Sequence, residues 1–522
     1  MTLLFTPSQD LNKIIGAQAL GADATSRSRI KTVFAASALA LLAACGGGGG
    51  GGGDATPASL PLASTLAQQC EANGTGTLST EKSWVRSFVN DTYLWYKDVP
   101  QVDASTFTAA NYTGSSYRAL DAYLTALKTP LRTASGKPVD QFSFTIPTAD
   151  LINQQSGVAS GYGIRFTAIS RVPPRIFRVL FVEPGSPAEA AGILRGDTVR
   201  SVDGVDIDVT SVDDRARLNA GLNPSVANKT TVFGMQAPGA AAPRLISVIS
   251  SQSIAVSPVP TSTTLTQGTS TVGYLVLNSF SIRSAEKQLI DSITQLKAAS
   301  VNELVLDLRY NGGGFLDISN QLAYMIGSNS LTGKLYEKII CNDKNPFAIC
   351  NSLQNFRTTS LGFSQTAGQA LPQLNLQRVF VLTSASTCSA SESLINGLSP
   401  FIQVVRIGSG TCGKPYGFYY TDNCGTSYAA MQFAGQNSAG FGDYADGFAP
   451  TCQVGDDLSK ARGDTSERMF AAALTYMGTG ACPAPSTVLQ KAGADSADNG
   501  NYRVMRSPVE EQRLLGGPTT YP

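Results

Sequence analysis

From about residue 265 the chain alternates short apolar runs with helical periodicity, and this alternation confines that half of the protein to an α/β core. Residues 274–277, 304–308, 379–382 and 404–407 are predicted strands. Between the first two, Leu289, Ile293 and Leu296 recur on one face of a helix. Upstream the pattern differs. Trp84, Phe88 and Trp95, then Leu120, Leu124 and Leu127, form apolar stripes at helical spacing, which predicts a helical domain over 71–150. At 522 residues the chain is too long for one ordinary domain. No internal repeat is evident.

The N-terminus bears on the compartment. Arg27, Arg29 and Lys31 precede an apolar run, 33–44, too short to span a bilayer and followed at once by Cys45. Leu42-Ala43-Ala44-Cys45 resembles a bacterial lipobox, in which the cysteine is acylated. The eight glycines from Gly46 to Gly53 cannot continue a helix and suit a flexible tether. The expectation is a lipoprotein signal over 1–44, a tether over 45–70, and a lipid anchor at Cys45 in the cell envelope. Gly46 after the cysteine suggests, by resemblance to Gram-negative lipoproteins, the outer membrane. Residues 483–522, polar and rich in Ala, Gly and Pro, are expected to form a loose tail. Export permits disulfides, and eight cysteines remain without Cys45, which leaves 105 connectivities open.

Composition excludes a great deal. There is no histidine in the chain, so Ser-His-Asp and Cys-His catalysis and every His-ligated metal site are removed. Any hydrolytic base must come from Lys, Asp, Glu or Tyr. A formal net charge of +1 gives no electrostatic footprint for nucleic acid. No metal or cofactor is expected.

Two local patterns carry chemistry. In Asp307-Leu308-Arg309-Tyr310-Asn311-Gly312-Gly313-Gly314 a strand enters a glycine turn whose backbone N–H groups can hold an anion or oxyanion. No Gly-Lys-Ser/Thr follows, so a Walker phosphate loop is excluded. In Thr387-Cys388-Ser389-Ala390-Ser391-Glu392, Ser389 and Glu392 form a capping box, so a helix should begin there. Ser389 could be only that cap, or a nucleophile at a helix N-terminus, where the dipole and unpaired N–H groups favour an oxyanion. Lys414, in Gly413-Lys414-Pro415 beyond the fourth strand, reads by itself as an ordinary surface loop lysine rather than a base.

Between these parts lies a segment that resembles a PDZ domain, 151–258. Gly161-Tyr162-Gly163-Ile164 is similar to the loop that holds a peptide's terminal carboxylate. Ser186, Pro187 and Glu189 suit the start of a short helix, and Gly192 its end. PDZ modules add a peptide as a strand to a sheet edge.

Together these motifs resemble the carboxyl-terminal processing, or tail-specific, serine peptidases, over about residues 80–480. The Ser-Ala-Ser-Glu run at 389–392, the Gly-Lys loop at 413–414, the Asp-Leu-Arg-x-Asn-Gly-Gly-Gly turn at 307–314 and a preceding PDZ domain carry the likeness. The resemblance implies a multidomain α/β protein: a helical N-terminal domain, a PDZ-like β domain, and a peptidase core of the ClpP/crotonase-like type over 265–482. It implies Ser389 as nucleophile, Lys414 as base, and the N–H groups of Ala390 and Gly313 as oxyanion hole. The substrate would be a protein or peptide, with no nucleic acid partner. Many relatives orient the lysine with a Gln four residues later, where this chain has Phe418. Others use an Asp eleven residues after the serine, where it has Pro400. Asn437 and 443–447 also look like family loops. Local spacing and the family's loops suggest disulfides Cys341–Cys350 and Cys424–Cys452. Cys388 and Cys412, which flank the two catalytic residues, are expected to pair as well. The rival reading is a non-catalytic ligand- or peptide-binding lipoprotein on the same fold, since retinoid-binding modules resemble this core.

Overall fold

The structure is a computed structural model that describes residues 60–224 and 226–484. The expected signal, Cys45, most of the tether and nearly all of the tail lie outside the described residues. Among the described residues no helix is long and apolar enough to cross a membrane.

Thr77 caps the helix Leu78–Thr92 by accepting from the Thr80 N–H, and its Trp84, Val85, Phe88 and Val89 are buried. They meet Leu120, Tyr123 and Leu124 of the helix Ser116–Ala126. The expected single stripe breaks at Trp95. The helix ends at Thr92, and Trp95 lies in the following turn, edge-on to Tyr93 and to Tyr416 of the core. The apolar surface of this region is completed by Tyr428, Ala430 and Met431 of the core. Strand Phe144–Pro147 pairs with Thr426–Ala429, and a Cys70–Cys424 disulfide closes the same edge.

The next segment forms an antiparallel sheet in the order Ile164–Ser170, Ile176–Val182, Thr198–Val202, Thr230–Gln236, Arg244–Ile249. Leu218 and Leu222 of the helix Val212–Leu222 cover its apolar face. Ser186 caps the short helix Pro187–Ala190 by accepting from Glu189 N–H. The reciprocal bond of the expected box comes from Gly185 N–H, which donates to the Glu189 carboxylate at 2.7 Å.

The core sheet runs Thr261–Gln267, Ser270–Val276, Glu303–Asp307, Arg378–Thr383, Gln403–Gly408, Cys452–Gln453, parallel from the second strand to the last. Alternate side chains go to opposite faces. Leu304, Leu306, Val379 and Val381 pack under helices Ala285–Ala298, Leu316–Ile326 and Ala390–Leu398. Val305, Phe380 and Leu382 face the helix Arg468–Thr479. Both faces are covered, as a parallel sheet requires. The glycine turn, the Ser389 turn and the Lys414 loop leave from the carboxyl ends of three adjacent strands, where open α/β sheets place their sites. A second, smaller sheet carries Leu335–Cys341, Phe433–Gln436 and Tyr416–Gly417 beside them.

Candidate active site

Ser389 stands at the N-cap of the helix Ala390–Leu398 with φ 58° and ψ −116°. An L-residue is strained there, and the sharp strand-to-helix turn leaves its side chain only partly buried. Ala390 occupies the first helical position, so its N–H belongs to the donors that the helix itself does not use.

The glycine turn lies directly against this corner. A Cβ on Gly313 would come within 2.7 Å of the Cys388 carbonyl oxygen and 2.9 Å of the Ala390 nitrogen, and one on Gly314 within 2.2 Å of the Phe280 backbone. Positive φ at both positions, 97° and 138°, adds to the demand for glycine. The turns are laced together: Cys388 N–H donates to Asn311 O, Ser391 Oγ to the same oxygen, and Thr387 Oγ1 to Leu308 O. Gly313 thus lies where an oxyanion donor would be wanted, yet its N–H donates to Asn311 Oδ1 at 2.8 Å. That donor is already engaged.

Glu392 joins the serine to the lysine. One oxygen, Oε2, accepts from the N–H of Ser389 and from the N–H of Lys414, both at 2.9 Å. The other, Oε1, accepts from Gly413 N–H at 2.8 Å and Thr411 Oγ1 at 2.5 Å. Burial pushes this carboxyl above the usual range even though the four donors pull the other way. The Cys388–Cys412 disulfide and a Cys412 N–H bond to Thr387 O close the same junction. The structure therefore brings the Ser389 turn and the Lys414 loop side by side. Lys414 is partly buried, with Nζ 4.7 Å from the ring centre of Phe418 and 5.3 Å from that of Phe142.

The two flanking loops have clear roles. Asn437 Nδ2 donates to Asn396 O and Oδ1, which ties its loop to the helix Ala390–Leu398. Residues 443–448 back the lysine loop: Phe448 N–H donates to Thr411 Oγ1, and a Cβ on Gly413 would lie 2.2 Å from Ala445 O. Behind the glycine turn, Arg309 is wholly buried among Asp307, Asp456 and Glu467. Sequence reasoning missed Asp456, Glu467 and the second role of Glu392, since each partner is distant in the chain. Only Asp307 and Arg309, two apart, gave a local signal.

In the smaller β domain the Tyr162 side chain is buried, its hydroxyl donating to Gly221 O and accepting from the Thr231 hydroxyl. Gly161 and Gly163 have positive φ, and a Cβ on Gly163 would overlap Ser186. Ile164 opens a strand that has a ladder partner on one side only among the described residues. The loop 161–164 thus leads into a sheet edge.

Of the disulfides expected, Cys341–Cys350 and Cys388–Cys412 are present. Cys424–Cys452 is not: Cys424 pairs with Cys70 and Cys452 with Cys482. Those bonds join segments that the fold makes neighbours, which sequence spacing does not encode.

Comparison with known proteins agrees with this architecture. Residues 80–144 match the peptidase S41 N-terminal domain, 178–227 a PDZ domain and 271–417 peptidase family S41. A carboxyl-terminal-processing protease of Picosynechococcus sp. is 30% identical over 259 residues, 50% of this chain and 55% of that protein. One from Synechocystis sp. is 28% identical over 262 residues, 50% of this chain and 54% of the other. The chain thus spans about half the length of the curated relatives it matches. A protein of Bacteroides fragilis NCTC 9343 assigned to the S41 proteases, known from a crystal structure, superposes with a TM-score of 0.58. It is 26% identical, over 76% of this chain and 97% of its own. With an N-terminal domain, a PDZ domain and a core each matched in order, and carboxyl-terminal-processing proteases among its homologues, the chain carries a core that matches peptidase family S41 over residues 271–417.

Proposed function

We propose that this chain is a serine endopeptidase that cleaves exported protein or peptide chains with a Ser389/Lys414 dyad. The observation that carries the reading is the bridging carboxylate of Glu392, which accepts from the N–H groups of both residues through one oxygen. The neutral amine of Lys414 takes the Ser389 hydroxyl proton as Oγ attacks the scissile carbonyl. The resulting oxyanion is met by Ala390 N–H at the positive end of the helix. Gly313 can join it only if its N–H turns from Asn311 Oδ1. The ammonium then gives its proton to the departing amine, leaving an ester on Ser389. Water, deprotonated by the same amine, hydrolyses that ester and restores the hydroxyl. A free lysine titrates near ~10.4, so hydrolysis should rise with pH as the ammonium loses its proton.

The PDZ domain would receive substrate C-termini, with Gly161, Tyr162, Gly163 and Ile164 holding the carboxylate and the adjacent free edge taking the chain as an added strand. Acylation at Cys45 would hold the enzyme in the cell envelope at the outer membrane. Turnover of casein by the purified protein, beside Ser389→Ala and Lys414→Ala, tests the peptidase. Both variants should lose at least about a thousandfold in kcat; equal turnover in all three refutes the dyad. Metabolic labelling with a fatty acid analogue, lost in Cys45→Ala, tests the anchor.

A further inference from the structure

We infer that the rings of Phe142 and Phe418 are positioning residues for the base, clamping the Lys414 amine between the N-terminal domain and the lysine's own loop. The inference rests on the dyad reading above. Both ring centres lie within the roughly 6 Å at which an ammonium is attracted to an aromatic face, at 5.3 and 4.7 Å.

Each ring is itself fixed. Phe142 sits in a tight turn organised by Asp140. That carboxylate accepts from Phe142 N–H at 3.0 Å, from Ser143 N–H at 2.8 Å, and from the hydroxyls of Ser143 and Tyr93, both at 2.6 Å. Ser143 Oγ in turn accepts from Met431 N–H of the core at 3.1 Å. Phe418 is held edge-on by Tyr420 at 5.0 Å and by Phe144 at 5.9 Å. The Lys414 amine therefore lies between two rings, one in the Asp140 turn and one on its own loop, that belong to a single packed cluster.

The chemistry of such a clamp is specific. A ring face attracts the ammonium and not the neutral amine, so it orients the side chain while keeping it charged longer as pH rises. The other titratable groups on the surrounding elements are Glu392 on the nucleophile helix, Asp140 beside Phe142, Tyr416, Tyr419 and Tyr420 on the lysine's own loop, and Asp443, Tyr444 and Asp446 on the loop behind it. None of these is altered by changing either ring to an aliphatic side chain.

The test is the rate of labelling of Ser389 by a fluorophosphonate, measured on the purified protein from pH 6 to pH 10, together with kcat and KM for casein. Phe418→Leu and Phe142→Leu should each move the midpoint of the rise to lower pH by about half a unit and lower kcat several-fold, with KM little changed. Phe418→Tyr, which keeps a ring, should restore the wild-type midpoint. Phe418→Trp, with the stronger face, should move it the other way. The Tyr and Trp variants keep the experiment decisive should a leucine variant fail to fold. Midpoints that stay fixed across the leucine and tryptophan variants, while Lys414→Ala abolishes labelling, overturn the clamp and leave the dyad standing. Labelling undiminished in Lys414→Ala overturns both.

Discussion

Glu392 has two tasks, and the hydrogen bonds of both pull its titration down against the burial that raises it. It terminates the helix start by accepting from Ser389 N–H, and it holds the lysine loop through Thr411, Gly413 and Lys414. Only the first was legible in the sequence, because a Ser-x-x-Glu box is local, while the lysine loop lies about twenty residues further on. The isosteric Glu392→Gln variant separates charge from shape. Its amide would turn an NH2 toward two of the four donors, so urea denaturation should show a loss of about 3 kcal/mol, and fluorophosphonate labelling should fall at least about a hundredfold. A second buried carboxyl, Glu337, sits one layer behind, within reach of Ser393 Oγ at 3.4 Å. Burial pushes it up to about 7 from 4.5. With a raised folded-state value, the native state binds the extra proton between those pH values. Stability is therefore highest below pH 4.5 on this account and falls as pH rises to 7, by on the order of 3 kcal/mol. Denaturation midpoints of Glu337→Gln should lose that slope relative to the wild type; a slope equal in both would show that another group titrates.

At the scale of elements, the parallel strands were readable because strands covered on both faces are near-continuous apolar runs, as at 304–308. The two motif turns were readable because each is a local strand-to-helix corner. What the pattern could not carry was where helices stop and which distant loops meet. Trp95 keeps helical phase with Trp84 and Phe88, yet the chain leaves the helix at Thr92, because the indole is wanted against Tyr416 of the core. Cys388 and Cys412 sit on the corner and on the loop that carry the serine and the lysine, so their bond fixes one element against the other. Closing a loop of this length stabilises by about 3 kcal/mol. The double variant Cys388→Ser/Cys412→Ser should therefore unfold at correspondingly lower urea concentration. Since Glu392 still bridges the loops, it should retain hydrolysis reduced by about tenfold rather than lose it. Complete loss of casein turnover in a folded double variant would mean that the carboxylate alone does not hold the junction.

Taken as a whole molecule, the described chain is not a set of beads. The helical region completes its apolar surface with core residues Tyr428 and Met431, and the Cys70–Cys424 bond spans 354 positions to seal that contact. The PDZ region is joined by charge together with a small apolar cluster of Leu180 and Phe181 with Tyr310 and Leu458. Arg195, from the Arg195-Gly196-Asp197 turn, donates to Asp456 Oδ1 at 2.6 Å, to Tyr310 Oη at 2.6 Å and to Leu180 O at 2.8 Å. Asp456 is shared with Arg309, so the guanidinium from the PDZ side enters the same buried network that supports the glycine turn. Burial would push Asp456 up, but the two guanidinium groups outweigh it and hold it well below the usual carboxylate range. Within that cluster Phe181 stacks on Tyr310 at 5.8 Å, and four buried residues are a small apolar contact for fastening two domains. Removing Arg195 therefore strikes the charged part of the fastening while leaving Asp456 compensated by Arg309. Arg195→Met keeps the stem and deletes the charge, so the cost should be about 2 kcal/mol, below the 3–5 expected when a buried charge is left with no partner. Because the loss falls on the junction, thermal unfolding should divide into two transitions, the earlier one belonging to the PDZ region and displaced by PDZ-directed peptide. A single transition at the wild-type midpoint would place the fastening elsewhere.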